Sequence, residues 1–85
     1  DMIGYSSDAD FDVLLESSGA PAQVAVLNQF AALAFDHAPG LVPIIDTNPC
    51  CSDHVPWINA GVPTLLTIEN DWFGYPHYHR ATDLP

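Results

Sequence analysis

Basic residues are almost missing from this chain. Arg80 is its one Lys or Arg, set against eleven Asp and Glu, and the formal charge at pH 7 is -10. A surface with that balance repels phosphate backbones and anionic lipid, which removes nucleic acid and acidic membranes from the field of partners. It suits a cationic ligand, either a metal ion or the protonated amine of a peptide. Long apolar runs are missing too, since no stretch approaches the roughly 20 residues that a membrane-spanning helix needs. Cysteine is confined to the adjacent pair Cys50 and Cys51, which lack the spacing of a structural zinc site. A bond between them would close a small strained ring, rare and easily reduced. One buried thiol, a vicinal bridge and a partner outside the chain all remain open. There is no internal repeat or low-complexity segment.

What is present reads as globular. The 48% hydrophobic content over 85 residues argues against disorder and allows one small core. Phe11-Asp12-Val13-Leu14-Leu15-Glu16 is a short apolar run, closed by the turn chemistry of Ser17-Ser18-Gly19-Ala20-Pro21. Pro21 suits the first position of a helix. Across residues 22–38, Val24, Leu27, Ala31, Ala34, Phe35 and Ala38 recur at three- and four-residue steps, which predicts an amphipathic helix. Pro39-Gly40 stops it. Residues 41–46 read as a buried strand. Ser52 is placed to cap a shorter helix running to about residue 60, with Asp53 in its first turn and Gly61 at its end. Residues 63–68 form another apolar strand, and the chain then becomes irregular and aromatic through Trp72, Phe73 and Tyr75. This alternation predicts an α/β fold: an open, mostly parallel β-sheet flanked by helices, with three to four strands and two helices. Ligands sit beyond the carboxyl ends of such strands, here from Asp46 and from Glu69 onward.

Three blocks carry chemistry. They are Asp1-Met2-Ile3-Gly4-Tyr5, then Ser52-Asp53-His54-Val55-Pro56-Trp57 with Asn59-Ala60-Gly61-Val62-Pro63-Thr64, and finally Tyr75-Pro76-His77-Tyr78-His79-Arg80-Ala81-Thr82-Asp83. A His held in irregular backbone, with a Tyr before it and a Thr and an Asp after it, has groups at hand to orient the ring or stabilise charge. An Asp is a hard oxygen ligand that suits zinc alongside imidazole. The acidic stretch Asp8-Ala9-Asp10-Phe11-Asp12 is not an EF-hand, because Val13 stands where Gly and Gly19 where Glu would be needed. It reads as a solvated acidic turn.

In order, the three blocks resemble the second half of the catalytic domain of the two-zinc aminopeptidase family, which includes secreted bacterial leucyl aminopeptidases and the glutamate carboxypeptidases. The resemblance implies a zinc-peptidase-like α/β/α sandwich of which residues 1–85 are the C-terminal portion. Its expected partners are a peptide substrate and the missing N-terminal half of the same domain, in a secreted or periplasmic setting. It implies that Asp1 binds one zinc and His79 the other, and that Tyr78 donates a hydrogen bond to the oxyanion of the tetrahedral intermediate. Asp53, His54 and Asp83 would stand behind the metal ligands, Trp72, Phe73 and Tyr75 would wall a side-chain pocket, and His77 would lie at the rim. Relatives with a disulfide in this region separate its two cysteines, unlike Cys50-Cys51. A zinc pair would activate a bridging water for exopeptidase hydrolysis, with an aminopeptidase favoured because only Arg80 could meet a carboxylate terminus. The Glu base and most metal ligands would lie before Asp1, and neither Glu16 nor Glu69 has the context to replace them, so these 85 residues alone are expected to be inactive. The Asp-His-x-Pro-aromatic block followed by Gly-Val-Pro also resembles glutaminyl cyclases, which keep a single zinc. A peptidase-fold binding module without catalysis is the third reading.

Overall fold

The computed structural model describes residues 11–82. Within them the element order is β1 (Asp12–Glu16), α1 (Pro21–His37), β2 (Val42–Asp46), α2 (Val55–Asn59), β3 (Leu66–Ile68) and a 3-10 turn (Trp72–Gly74). The strands form a mixed three-stranded sheet in the order β2-β1-β3. β1 pairs with β2 in parallel, from Asp12 opposite Val42 to Glu16 opposite Asp46. It pairs with β3 antiparallel, with Leu14 opposite Ile68 and Glu16 opposite Leu66. The α/β class is as expected, but the mostly parallel sheet is not, since the second pairing runs the other way.

Alternation along β1 assigns its two faces. Val13 and Leu15 point to α1 and form the core with Leu27, which is 0% exposed. Asp12, Leu14 and Glu16 point to the opposite face. Pro21 takes the first turn of α1 as expected, and the helix closes with the Ala38 N–H on the Ala34 carbonyl. The predicted stripe is only partly realised. Leu27 is buried and Val24, Ala31, Ala34 and Ala38 are half-buried, whereas Phe35 is 76% exposed and the polar Gln23 is buried in its stead. Phe30 and Leu33 are also exposed, so α1 carries apolar residues around most of its circumference.

Gln23 is buried because it is the hub of a polar tie. Its Nε2 donates to the Val62 carbonyl at 2.8 Å, and its Oε1 accepts from the Thr64 N–H at 2.8 Å. The buried Ser17 hydroxyl donates to the Thr64 carbonyl at 2.6 Å and lies 3.2 Å from Gln23 Oε1. Backbone groups expected in a strand over residues 63–68 are thus spent on side chains, and Pro63 has no N–H to give. The strand therefore starts only at Leu66. The shorter helix also begins later than expected: Ser52 accepts the Val55 N–H in a turn at 3.1 Å, and His54 rather than Ser52 occupies the N-cap position. Gly61 ends that helix as expected, at φ 77, where the Gly61 N–H meets the Ile58 carbonyl. The expected buried strand at 41–46 is an edge strand on which Val42, Ile44 and Ile45 are exposed.

Replacing Gln23 with Leu keeps the volume but strips partners from the Thr64 N–H and the Val62 carbonyl. It should cost about 1–3 kcal/mol, chiefly for the half-buried Thr64 N–H, since Val62 is 42% exposed and its carbonyl can turn to water. Phe35→Ala should stay within about 0.5 kcal/mol. Urea unfolding followed by circular dichroism would separate the two, and an unchanged midpoint for Gln23→Leu would show that the tie does not hold the fold.

Candidate functional site

Because β1 and β2 run parallel, Glu16 and Asp46 end at the same edge of the sheet, and the Ser17 N–H continues the ladder to the Asp46 carbonyl at 3.0 Å. β3 runs the other way, so Glu69 emerges at the far edge beside Asp12. The expectation that Asp46 and Glu69 open onto one ligand-binding edge is therefore wrong. What restores a site is the return of the chain. After the Trp72–Gly74 turn, residues 75–79 fold back so that Trp72, Tyr78 and His79 face Cys50, Cys51, Ser52 and Asp53 across a cavity of about 350 Å³. Its floor is the sheet face turned away from α1, through Glu16, Leu66 and Ile68.

Beneath this cavity lies a buried acid and imidazole. His54 Nε2 stands 2.6 Å from Glu16 Oε2, and the two residues are 4% and 7% exposed. The contact is close in distance, yet the ring is not turned so that an N–H points along it, and Nδ1 has no partner either. We read it as an electrostatic contact rather than an aligned hydrogen bond. The same Oε2 accepts the Cys50 N–H at 3.1 Å, so one carboxylate oxygen ties the end of β1 to both the cysteine pair and the start of α2. Sequence reasoning set Glu16 aside. The signal that could have found it is its place as the last residue of an apolar run, directly before a Ser-Ser-Gly turn, where an α/β sheet presents ligand-binding groups.

The residues singled out from sequence are divided by the fold. Asp53, Tyr78, His79 and Trp72 share the cavity, while His54 sits under it. Asp53 is exposed and precedes α2, so it does not lie in the first turn of that helix as expected. Tyr78 packs against Trp72 with ring centroids 5.3 Å apart, and His79 stacks on Tyr78 at 4.1 Å. His79 adopts a left-handed φ of 52, a conformation rare for a residue with a Cβ, which turns its ring back over the tyrosine. Of the three aromatics expected to wall a pocket, Trp72 lines this cavity. Phe73 is 75% exposed and Tyr75 pairs with His77 instead. His77 is exposed, with Nδ1 2.8 Å from the Thr82 hydroxyl. Asp1 and Asp83 lie outside the described residues.

Metal ligation can be tested on these residues directly. Zinc takes four donors in a structural site and three protein donors in a catalytic one. Among the described residues His79 belongs to no group of three or more His, Cys, Asp or Glu with donor atoms in mutual reach, so these residues do not by themselves make a zinc site. The group that does converge is Asp12, Glu69 and Asp71 at the far edge, with ligand atoms within 4.8 Å of one another. Asp12 Oδ2 accepts from Asn70 Nδ2 at 2.9 Å, so Asp12 is half-buried and bonded, not the solvated acid expected from sequence. An all-oxygen set suits a hard cation and not zinc, and acids gather in this way without one often enough that no ion is assigned. No protein-family model, curated protein or solved structure matches the chain.

Glu16→Ala should lower stability by about 1–3 kcal/mol, because it leaves the Cys50 N–H without its acceptor and removes the carboxylate that the buried imidazole packs against. Glu16→Gln should keep most of that, since an amide oxygen still accepts from Cys50. Denaturant midpoints of the two variants test this; equal losses would mean that charge, not the acceptor, is what matters.

Proposed function

We propose that the chain is the C-terminal portion of a zinc-dependent exopeptidase domain, an aminopeptidase that removes N-terminal residues from peptides. The observation that carries this reading is the cavity itself, where Asp53, Tyr78 and His79 meet although about 25 residues separate the first from the others. Those were three of the positions that the resemblance singles out. Charge supports the substrate class, because a peptide's terminal ammonium is drawn to a chain of net charge -10 with Arg80 as its one basic side chain.

The apolar surface supports the reading of a portion. Val13, Leu15, Leu27 and Ile68 are the buried apolar core of the described residues, while Phe30, Leu33, Phe35, Val42, Ile44 and Ile45 are exposed. A helix that is apolar around most of its circumference belongs inside a larger fold. A strand that leaves one edge unpaired and is only partly covered by α1 needs neighbours for the same reason. In this reading the metal is held chiefly by residues outside the chain, with His79 and Asp1 as its contribution. Tyr78, a neutral phenol near pH 7, donates a hydrogen bond to the oxyanion as it forms. Trp72 and the apolar floor of Leu66 and Ile68 line the cavity beside that phenol.

The test is made on the full-length parent protein, by zinc stoichiometry and by hydrolysis of aminoacyl-p-nitroanilides. About two zincs per domain and chelator-sensitive release of the amine are expected. Tyr78→Phe should lower kcat by about 10²–10³-fold with KM little changed, and His79→Ala should lose metal as well as activity. One zinc with pyroglutamate formation from Gln-peptides would replace the peptidase with a cyclase, and absence of both metal and turnover would leave a binding module. The 85 residues alone should show no turnover.

A further inference from the structure

Cys50 and Cys51 are joined to each other by a disulfide in the segment between β2 and α2. A bridge between neighbours closes no loop of chain, so it cannot stabilise the fold by restricting the unfolded state in the way a long-range crosslink does. It constrains only the peptide unit it spans. Both residues are exposed, where an attacking thiol can reach either sulfur. Cys51 has a left-handed φ of 50, a conformation that residues with a Cβ avoid, so the backbone is held out of its preferred region at the bridge itself. Exposed and strained disulfides are the ones that exchange.

The pair is also wired into the cavity. Both cysteines line it, opposite Trp72, Tyr78 and His79. The Cys50 N–H is held by Glu16 Oε2 at 3.1 Å, and that same oxygen contacts His54. The bridge spans the peptide next to the one whose N–H Glu16 holds, so the constraint on Cys51 sits directly on one wall of the cavity.

We propose that Cys50-Cys51 is a reversible thiol–disulfide exchange site for a neutral dithiol reductant, and that its redox state sets the shape of the cavity. A thiolate of the reductant attacks one of the two sulfurs, the Cys50–Cys51 bond breaks, and the sulfur that leaves takes a proton. The reductant's second thiol then displaces the first cysteine from the mixed disulfide. Two electrons and two protons have passed to the cysteines, and the reductant is left as a disulfide. Glu16 and Asp53 stand beside the pair, and the whole chain is acidic, so glutathione, whose carboxylates add to the charge of its thiolate, is repelled more strongly than a dithiol whose thiolate is its one charge. This inference does not depend on the peptidase reading.

The experiment uses the full chain in a Trp57→Phe background, which leaves Trp72, one of its two tryptophans, as the reporter of the cavity. The folded protein is treated with dithiothreitol or with glutathione at equal thiol concentration, then reoxidised with hydroxyethyl disulfide. Intact mass, alkylation mapped to Cys50 and Cys51, and Trp72 emission are followed together. Reduction in the absence of denaturant is expected, about tenfold faster with dithiothreitol than with glutathione at low salt, with a shift in Trp72 emission that reverses on reoxidation. Cys50→Ser and Cys51→Ser, checked for folding by circular dichroism, should each hold the emission of the reduced protein and ignore both reagents. Resistance to reduction until the chain is unfolded would overturn the proposal, as would two thiols that the oxidant does not close. So would reduction that leaves Trp72 emission unchanged.

Discussion

The tie of Ser17, Gln23, Val62 and Thr64 is the constraint on which the rest of this structure depends. It joins three places that are far apart in sequence: the exit of β1, the first turn of α1 and the approach to β3. A primary amide can present one donor and one acceptor side by side, as a neighbouring strand would, and Gln23 uses both to hold residues 62–64. That sets where β3 begins and brings Leu66 opposite Glu16. Without that register there is no sheet floor to the cavity, and the return of residues 72–79 would have nothing to close against. The cost of burying a polar side chain is offset because its oxygen and nitrogen both find partners.

The same tie explains where the sequence was legible and where it was not. β1, α1, β2 and the stop at Gly61 follow from local signals: an apolar run, Pro21 at the start of a helix, Pro39-Gly40 at its end, and a glycine free to take positive φ. These are decided by neighbours in the chain. The approach to β3 is held by long-range hydrogen bonds from a glutamine, which stands four residues before Leu27 on the buried face of α1 but, being polar, falls outside the apolar pattern. The antiparallel return has no local signal in residues 61–68, and with it goes the fact that Glu69 opens on the edge opposite Asp46. Phe35 misleads for the complementary reason. Its spacing fits the stripe, but the sheet is too small to cover that side of the helix.

Among the residues that the resemblance singles out, Asp53, Tyr78 and His79 line one cavity. Glu16 was not legible in the sequence, because an acid closing an apolar run looks like any solvated strand end. Its importance comes from burial. A carboxylate 7% exposed, holding a backbone N–H and standing against an imidazole that is 4% exposed, fixes backbone on both sides of it. Phe73 packs edge-on against Trp72 and Tyr75 against His77, since aromatic residues in a loop pack on one another as easily as on a ligand.

The distribution of acid around the sheet adds a last step. Asp12 and Glu16 lie on one face of β1 at its two ends, about 13 Å apart at a rise of ~3.3 Å per residue. At the Glu16 end the negative charge meets His54 and a backbone N–H, beside a cavity with two aromatic walls. At the Asp12 end it meets Asn70 and two further acids, and a carboxylate oxygen, Asp12 Oδ1, is buried without a partner. Both ends therefore concentrate negative potential, but only the first combines it with apolar lining and donors that fix orientation, as a small-molecule or peptide site requires. Charge alone would rank the two ends equally; the apolar lining and the aromatic wall distinguish the Glu16 end.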